Sequence, residues 1–295
     1  MTMVRWMALG VLVWCCAGCA VFGPTAGDIR TKGTQFTRET SYLFGLISDK
    51  DDYKPVGKAV DWSTHGGWSS FKKRADEDQK LGINLYVAYS GPGLSKPLFK
   101  PNDGGAPYKD NTTLARNSKY WDEVDRRIEY LRDRGISVVV ANTFVDQGIL
   151  NRFTVETLTE DWKRTVKMYE TESAMFFPLS EYDEHGNAGM SLGLRLVDVT
   201  RGETKAPVSL HPLKTNARHA GSVDFIVHQG WNPNQIRADL AHGKPLVVAE
   251  DQQAAGNPSL KIERFKQARS MGVTYIFTGN HDGWSSEEKA FLKSL

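Results

Sequence analysis

Two apolar stretches of the sequence end in carboxylates, a pattern typical of buried strands that open onto a reactive surface. Residues 175–179 are followed by Glu181, and residues 245–249 are followed directly by Glu250. Short apolar runs of this kind indicate buried strands. If both strands belong to one sheet, we expect Glu181 and Glu250 to face each other as a catalytic carboxylate pair. Nearby acids leave three alternatives open, namely Asp183, Glu184 and Asp251.

The elements that would position these acids alternate along the chain. Apolar runs predict strands at 43–47, 83–89, 136–141, 175–179, 207–211, 223–229, 245–249 and 273–277. Charged amphipathic segments between them predict helices at 69–81, 119–134, 159–172, 234–242, 261–271 and 285–295, several of them followed by glycine. Strands that alternate with helices favour a parallel α/β sheet.

The number of strands favours a TIM-type (β/α)8 barrel, in which the chemistry lies at the carboxyl ends of the strands. Only a short helix fits between residues 211 and 223, so the fifth helix should be short or missing. A doubly wound open sheet is the structural alternative, but no glycine-rich phosphate-binding sequence follows the first strand. In a barrel, the polar residues at the strand ends would meet as a binding surface; besides the glutamates they are Tyr89, Asn142, His211, Gln229 and Asn280.

Three motifs give these positions a family resemblance. They are Ser209-Leu-His-Pro212, Asp224-Phe-Ile-Val-His-Gln229 and Lys244-Pro-Leu-Val-Val-Ala-Glu250. Their order is similar to the His-Pro, Asp-Phe-Gln and Lys-Pro-Glu succession of the apiosidase-like family, within the clan A retaining glycoside hydrolases. That clan carries its acid/base glutamate after the fourth strand and its nucleophile after the seventh. The resemblance therefore implies that Glu181 is the acid/base and Glu250 the nucleophile.

The implied reaction is hydrolysis of a glycosidic bond in a poly- or oligosaccharide by double displacement. One carboxyl must be protonated to assist the leaving oxygen, and the other must be ionised to attack the anomeric carbon. The acids at 183 and 184 favour a protonated Glu181. One departure concerns Ser180: the clan often has asparagine at this position, as a ligand of the sugar 2-hydroxyl.

Aromatic residues in loops suggest how a sugar would be held. Trp68, Trp231 and Trp284 are predicted to stack on sugar rings at the mouth of the barrel, whereas Trp121 and Trp162 lie on predicted helices and should be core residues. The long connection 90–118 is predicted to form one wall of a cleft.

The sequence leaves two other classes of function open. The first is a metal-dependent hydrolase, for which seven histidines are available, but no His-x-His or His-Glu-x-x-His pattern is present. We therefore predict no metal and no cofactor. The second is a non-catalytic carbohydrate-binding or scaffold lipoprotein on the same barrel. A net charge of +2 with no basic run gives no indication of nucleic-acid binding.

The beginning of the chain resembles a bacterial lipoprotein signal. Arg5 precedes the apolar run 6–16, and Ala17-Gly18-Cys19 follows it. We predict a signal peptide at 1–18, a lipid on Cys19, a tether at 19–33 and one catalytic domain at 34–295, with membrane attachment in the cell envelope, at the outer membrane in a Gram-negative source. Cys16 stands where such signals usually have leucine, so secretion without lipid stays open. All three cysteines precede the domain, which therefore has no internal disulfide.

Overall fold

The computed structural model describes residues 35–40, 68–90, 104–110, 112–142, 147–171, 173–184, 186–249, 253–254, 257–277 and 284–295. The strands in these residues are β1 (Gln35–Thr40), β2 (Leu85–Ser90), β3 (Ser137–Asn142), β4 (Ser173–Phe177), β5 (Ile226–Gln229), β6 (Leu246–Ala249) and β7 (Tyr275–Phe277). They form one parallel sheet in the order β4-β3-β2-β1-β7-β6-β5.

The helices run between the strands, as the sequence pattern predicts. They are α1 (Trp68–Lys80), α2 (Ser118–Arg132), α3 (Gln147–Arg152), α4 (Val155–Tyr169), α5 (Gly186–Glu203), α6 (Pro233–Leu240), α7 (Pro258–Met271) and α8 (Ser286–Lys293). Helix α7 shows the expected end signals: the Asn257 side chain accepts from the Leu260 amide at 3.1 Å, and Gly272 closes the helix with φ of 82°. The predicted helices correspond to α1, α2, α4, α6, α7 and α8.

Side chains of the strands alternate between two separate cores. One core lies on the inner face of the sheet and contains Leu85, Val139, Ala141, Met175, Phe177, Phe225, Val227, Val247, Ala249 and Tyr275. Their chain neighbours, such as Val140 and Val248, belong to the larger core between sheet and helices. This alternation is the two-residue period of a strand. Because the inner core draws on both edges of the sheet, the sheet must curve around it.

The segment 207–211 bonds to both edges of the curved sheet. The Ser209 amide donates to the Phe176 carbonyl at 3.0 Å beside β4, and the Ser209 hydroxyl donates to the Phe225 carbonyl at 2.6 Å next to β5. Inside this join, the rings of Phe177 and Phe225 are 5.5 Å apart. The segment lies where the fifth strand was predicted, but it pairs with β4 through isolated bridges and not through a regular ladder. Along the curved sheet, each strand thus lies beside its neighbours in the chain, and β1 lies beside β7. A doubly wound sheet would instead reverse its strand order part-way.

Three elements differ from the sequence prediction. The first strand is Gln35–Thr40, which pairs with β2 and β7; the segment 43–47 lies outside the described residues. Its sequence QFTRET lacks an apolar run, so hydrophobic periodicity does not reveal it. Helices α3 and α5 were not predicted. In α5 the glycines weaken the helix signal.

The fifth helix is confirmed to be short: only the 3₁₀ turn Ala217–His219 lies between the segment 207–211 and β5. In the part of the chain that is described, no helix combines the length and the apolar character needed to cross a bilayer. The predicted signal peptide, Cys19 and the tether lie outside the described residues.

Candidate active site

The exit of β4 is held by its neighbours on both sides. Ser180 is fully buried, and its hydroxyl donates to the carbonyl of Asn142, the last residue of β3, at 3.1 Å. On the other side, the His211 amide donates to the Leu179 carbonyl at 3.1 Å, and Ser180 pairs with His211. The structure therefore brings the predicted site residues Asn142 and His211 to either side of the residue that precedes Glu181.

Glu181 has an unusual backbone. Its φ is +50°, and Leu114 is the other non-glycine residue with positive φ in the described chain. The left-handed conformation costs an ordinary residue about 1–2 kcal/mol. The bonds of Ser180 fix the chain before Glu181, and the Glu184 amide donates to the Glu181 carbonyl at 3.0 Å after it. Such imposed strain is concentrated at functional sites.

The other acids of this turn have different surroundings. Asp183 accepts the Leu213 amide at 2.8 Å and lies 3.6 Å from the Arg218 guanidinium, so its carboxylate faces the neighbouring loop. Glu184 is exposed at the surface. Of the three acids after β4, Glu181 combines partial burial with a constrained backbone.

Buried rings lie close to this turn. Burial raises the pKa of Tyr182 to about 12, and the Tyr182 ring lies 5.7 Å from the ring of His219. The His211 side chain is 1% exposed, and its ring lies 6.1 Å from that of Phe177 in the inner core. The imidazole of His211 therefore lies over the apolar interior, close to the end of β4.

A second group of predicted residues lies at the ends of β5 and β6. Gln229 pairs with Ala249, and the Gly230 amide donates to the Ala249 carbonyl at 2.7 Å. Glu250 and Asp251 follow Ala249 in the chain but lie outside the described residues, as does Asn280. Tyr89 lies in β2 beside Ala141 of β3, with its side chain outside the described part.

The predicted tryptophans separate into two groups. Trp231 follows β5 and is partly buried, with the Arg264 guanidinium 4.9 Å from its ring. Trp68 and Trp284 lie elsewhere. The Trp68 ring packs against Tyr130 of α2 at 5.1 Å, and the buried Trp284 donates its indole N–H to Asp78 of α1 at 2.7 Å. These two contacts are made with the helix layer, so the structure does not bring Trp68 and Trp284 to the strand ends. Trp121 and Trp162 are core residues, as predicted.

The described part of the long connection 90–118, namely residues 104–110 and 112–117, also packs on the helices. Arg116 donates to the Asp161 carboxylate at 3.2 Å and to Thr165 at 2.5 Å, both on α4. The Tyr108 hydroxyl donates to Asp161 at 2.7 Å. Residues 104–110 and 112–117 therefore pack against α2 and α4, and residues 91–103 of the predicted cleft wall lie outside the described residues.

Sequence reasoning missed the importance of Asn216. This buried side chain donates to the Ser209 hydroxyl and to the Leu210 carbonyl, both at 2.8 Å, and accepts the Val227 amide at 2.9 Å. It thereby joins the segment 207–211 to β5. The only sequence signal was the failure of 211–223 to form a helix. Among the described residues, no group of three or more His, Cys, Asp or Glu side chains could hold a metal ion.

Comparisons with known proteins find similarity at the level of the fold. No model of a known protein family matches the sequence, and no curated protein matches it. The structure is similar to a glycoside hydrolase of family 5 from Bacteroides vulgatus, with a TM-score of 0.61 and 14% identity over 82% of this chain. The chain spans 57% of the length of that protein.

Two further solved structures have the same kind of likeness. Endo-glycoceramidase II from a Rhodococcus species has a TM-score of 0.56 and 11% identity, covering 88% of this chain and 78% of the other. A β-glucosidase from Pyrococcus furiosus has a TM-score of 0.53 and 11% identity, covering 83% and 86%. At these identities the likeness concerns the fold, which in family 5 is a (β/α)8 barrel.

Proposed function

We propose that the protein is a retaining glycoside hydrolase built on a (β/α)8 barrel, with the segment 207–211 as its fifth strand. Glu181 would be the general acid/base and Glu250 the nucleophile. The observation that carries the proposal is the strained, half-buried Glu181 at the exit of β4, directly after Ser180, which is bonded to Asn142 and paired with His211. The fold likeness to glycoside hydrolases supports the class of reaction.

The chemistry requires two carboxyls that act in sequence. Glu181 donates a proton to the leaving oxygen while Glu250 attacks the anomeric carbon, which forms a covalent glycosyl-enzyme. Glu181 then removes a proton from water, and that water releases the sugar with its configuration retained. For this mechanism we expect the two carboxyl groups to lie about 5 Å apart, because an inverting pair needs roughly 6.5–9.5 Å.

The surroundings of Glu181 favour it over its neighbours as the acid. The Asp183 carboxylate is engaged elsewhere, because it accepts the Leu213 amide at 2.8 Å and lies 3.6 Å from the Arg218 guanidinium. Glu184 is exposed at the surface. Glu181 is instead half-buried, and it directly follows the fully buried Ser180 at the exit of β4.

Substrate contacts would come from the same end of the strands. We assign them to Asn142, His211, Gln229 and Trp231, together with Tyr89 and Asn280. In this proposal a sugar ring would stack on the exposed part of the Trp231 indole. The Ser180 hydroxyl is committed to the Asn142 carbonyl, so a different residue would have to bind the sugar 2-hydroxyl.

Membership of the apiosidase-like family is part of the proposal and rests on the three motifs. Two residues of these motifs make structural contacts that would explain why these residue types occur there. Asp224 accepts the Val208 amide at 2.9 Å, and the Lys244 ammonium donates to the Val223 carbonyl. The Asp224 contact holds the chain before β5 against the segment 207–211. The Lys244 contact holds the same part of the chain against the residues that precede β6.

The role of each glutamate can be tested by chemical rescue. In Glu250→Ala, hydrolysis should fall by several orders of magnitude for every substrate, and azide should restore activity with an inverted product. In Glu181→Ala, an activated aryl glycoside should still be attacked far better than a natural glycoside, and azide should give a product of retained configuration. Glu263→Ala, an exposed change on α7, is the control for expression and folding. Near-normal turnover by both site variants would contradict the assignment.

We also propose that Cys19 is the first residue of the mature protein and carries lipid, which would attach the enzyme to the cell envelope. The Ala-Gly-Cys ending of the apolar run supports this. Intact-mass measurement of the membrane fraction should show a lipidated Cys19, and an unmodified Cys19 or a different start would contradict it.

A further inference from the structure

We propose that Asp183 is a positioning residue of the candidate site, which holds the loop 212–219 against the turn 181–184. This inference rests on the proposed function, because Asp183 would act through Glu181. The turn carries Glu181, and the loop follows His211 directly. Fixing the turn to the loop therefore fixes Glu181 relative to His211.

The contact has one strong and one weak part. Asp183 Oδ1 accepts the Leu213 amide at 2.8 Å, and Asp183 Oδ2 lies 3.6 Å from Arg218 Nη2. The Asp183 side chain is 18% exposed and the Arg218 side chain 55% exposed. A carboxylate bonded to a backbone amide makes a short, charge-assisted bond. An exposed ion pair of this length contributes little, so the bond to Leu213 carries the contact.

The loop is a firm support because its other contacts lie in the barrel wall. Asn216 bonds to Leu210 and Val227, and the Gln229 amide donates to the Lys214 carbonyl at 2.6 Å. The loop is thus attached to the segment 207–211 and to β5. Through its bond to the Leu213 amide, Asp183 attaches the loop to the exit of β4 as well. The preceding residue in the turn, Tyr182, packs its ring on that of His219 in the same loop.

Glu181 needs such support because its backbone is strained. The turn closes through the Glu184 amide and the Glu181 carbonyl, and Asp183 lies inside that turn. If Asp183 were released, Glu181 could relax from its φ of +50° and turn its side chain away. A general acid must stay within hydrogen-bond reach of the leaving oxygen, so this movement would slow proton donation.

The experiment compares two aryl glycosides of the sugar that the parent enzyme cleaves, one with a 2,4-dinitrophenyl and one with a phenyl leaving group. Asp183→Ala should lower kcat for the phenyl glycoside by about ten- to hundredfold, because that substrate needs the acid. For the dinitrophenyl glycoside the loss should be less than about threefold, because its leaving group needs little protonation. Asp183→Asn keeps an oxygen acceptor for the Leu213 amide and should stay within about threefold of the parent on both substrates.

Asp198→Asn is the matched control, because it removes the same charge from an exposed site on α5. Equal losses on both substrates in Asp183→Ala would overturn the proposal, since a purely structural defect lowers the amount of active enzyme and not its dependence on the leaving group. Losses in Asp183→Asn as large as those in Asp183→Ala would also overturn it. If Asp183→Ala does not fold, amide exchange in the parent decides: slow exchange at Leu213 supports the contact and fast exchange contradicts it.

Glu181→Gln is measured in parallel, so that a failure of the positioning role of Asp183 can be distinguished from a failure of the proposed function. If Glu181→Gln depends on the leaving group and Asp183→Ala does not, the positioning role fails and the proposed function stands. If Glu181→Gln shows no such dependence, the proposed function fails, and the role of Asp183 fails with it.

Discussion

Ser180 and Asn142 join the exits of two neighbouring strands, because the Ser180 hydroxyl donates to the Asn142 backbone carbonyl at 3.1 Å. Both residues are buried. Since Glu181 follows Ser180, this bond sets the position of the Glu181 backbone relative to β3.

Replacing Ser180 with alanine should weaken both the fold and the activity. The buried Asn142 carbonyl would lose this donor, which costs about 1–3 kcal/mol of the free energy of unfolding, and kcat should fall with it. Urea denaturation and steady-state kinetics measure the two effects. Ser270→Ala is the control, since the Ser270 hydroxyl donates to the Gln267 carbonyl on the exposed surface; a loss as large there would contradict the argument.

Trp284 should contribute more to stability than to substrate binding. Its indole N–H and the Tyr86 hydroxyl both donate to the buried Asp78 carboxylate. Trp284→Phe removes a bond to a charged group, so the free energy of unfolding should fall by about 1.5–3 kcal/mol. Trp121→Phe, which removes an indole bond to a neutral carbonyl of Pro107 at 3.2 Å, should cost less. A raised KM with unchanged stability in Trp284→Phe would instead support a role in sugar binding.

Asp161 should be essential for the attachment of residues 104–110 and 112–117. It is 3% exposed and accepts from both Tyr108 and Arg116. Asp161→Ala leaves the Arg116 guanidinium without its carboxylate, and breaking a buried pair in this way costs about 3–5 kcal/mol. Limited proteolysis should then cut within these residues before the rest of the domain. Glu160→Ala, exposed on the same helix, is the control, and equal protease resistance in both variants would contradict the prediction.

His219 should make the fold less stable in acid. Burial, and then the nearby Arg218 charge, lower the pKa of His219 below its usual 6.5. The unfolded chain therefore takes up a proton first as the pH falls through about 6.5, and stability is lost from there downward. Between about pH 7.5 and pH 5, His219→Gln should lose less of its free energy of unfolding than the parent does. Parallel slopes in parent and variant would contradict this.

The sequence predicted the exit of β4 because the signal there is local: an apolar run ends abruptly in acids. It did not reveal β1, whose residues QFTRET become a strand through pairing with β2 and β7 and not through their own periodicity. Helix α5 was missed because glycine is a poor helix former. At Gly193 a Cβ would lie only 3.2 Å from the Leu210 side chain, so the close packing there favours the small residue that weakens the helix signal.

Side-chain roles were harder to predict than strands. Trp284 follows the last strand in sequence, yet its partner Asp78 is 206 residues away. No pattern of spacing indicates such a contact. The strain at Glu181 and the bond from Asp183 to Leu213 likewise depend on tertiary structure. The sequence locates the acids at the end of β4, but their different contacts and burial become visible only in the structure.

The most direct test of the proposed mechanism is covalent trapping of the glycosyl-enzyme. The parent protein is incubated with a panel of activated 2-fluoro-glycosides, and intact-mass and peptide mass spectrometry then locate any adduct. We predict one fluoroglycosyl group on Glu250, formed with the sugar that the enzyme cleaves, and no adduct in Glu250→Gln. An adduct on Asp251, Asp183 or Glu184, or hydrolysis with inversion of configuration and no adduct, would contradict it.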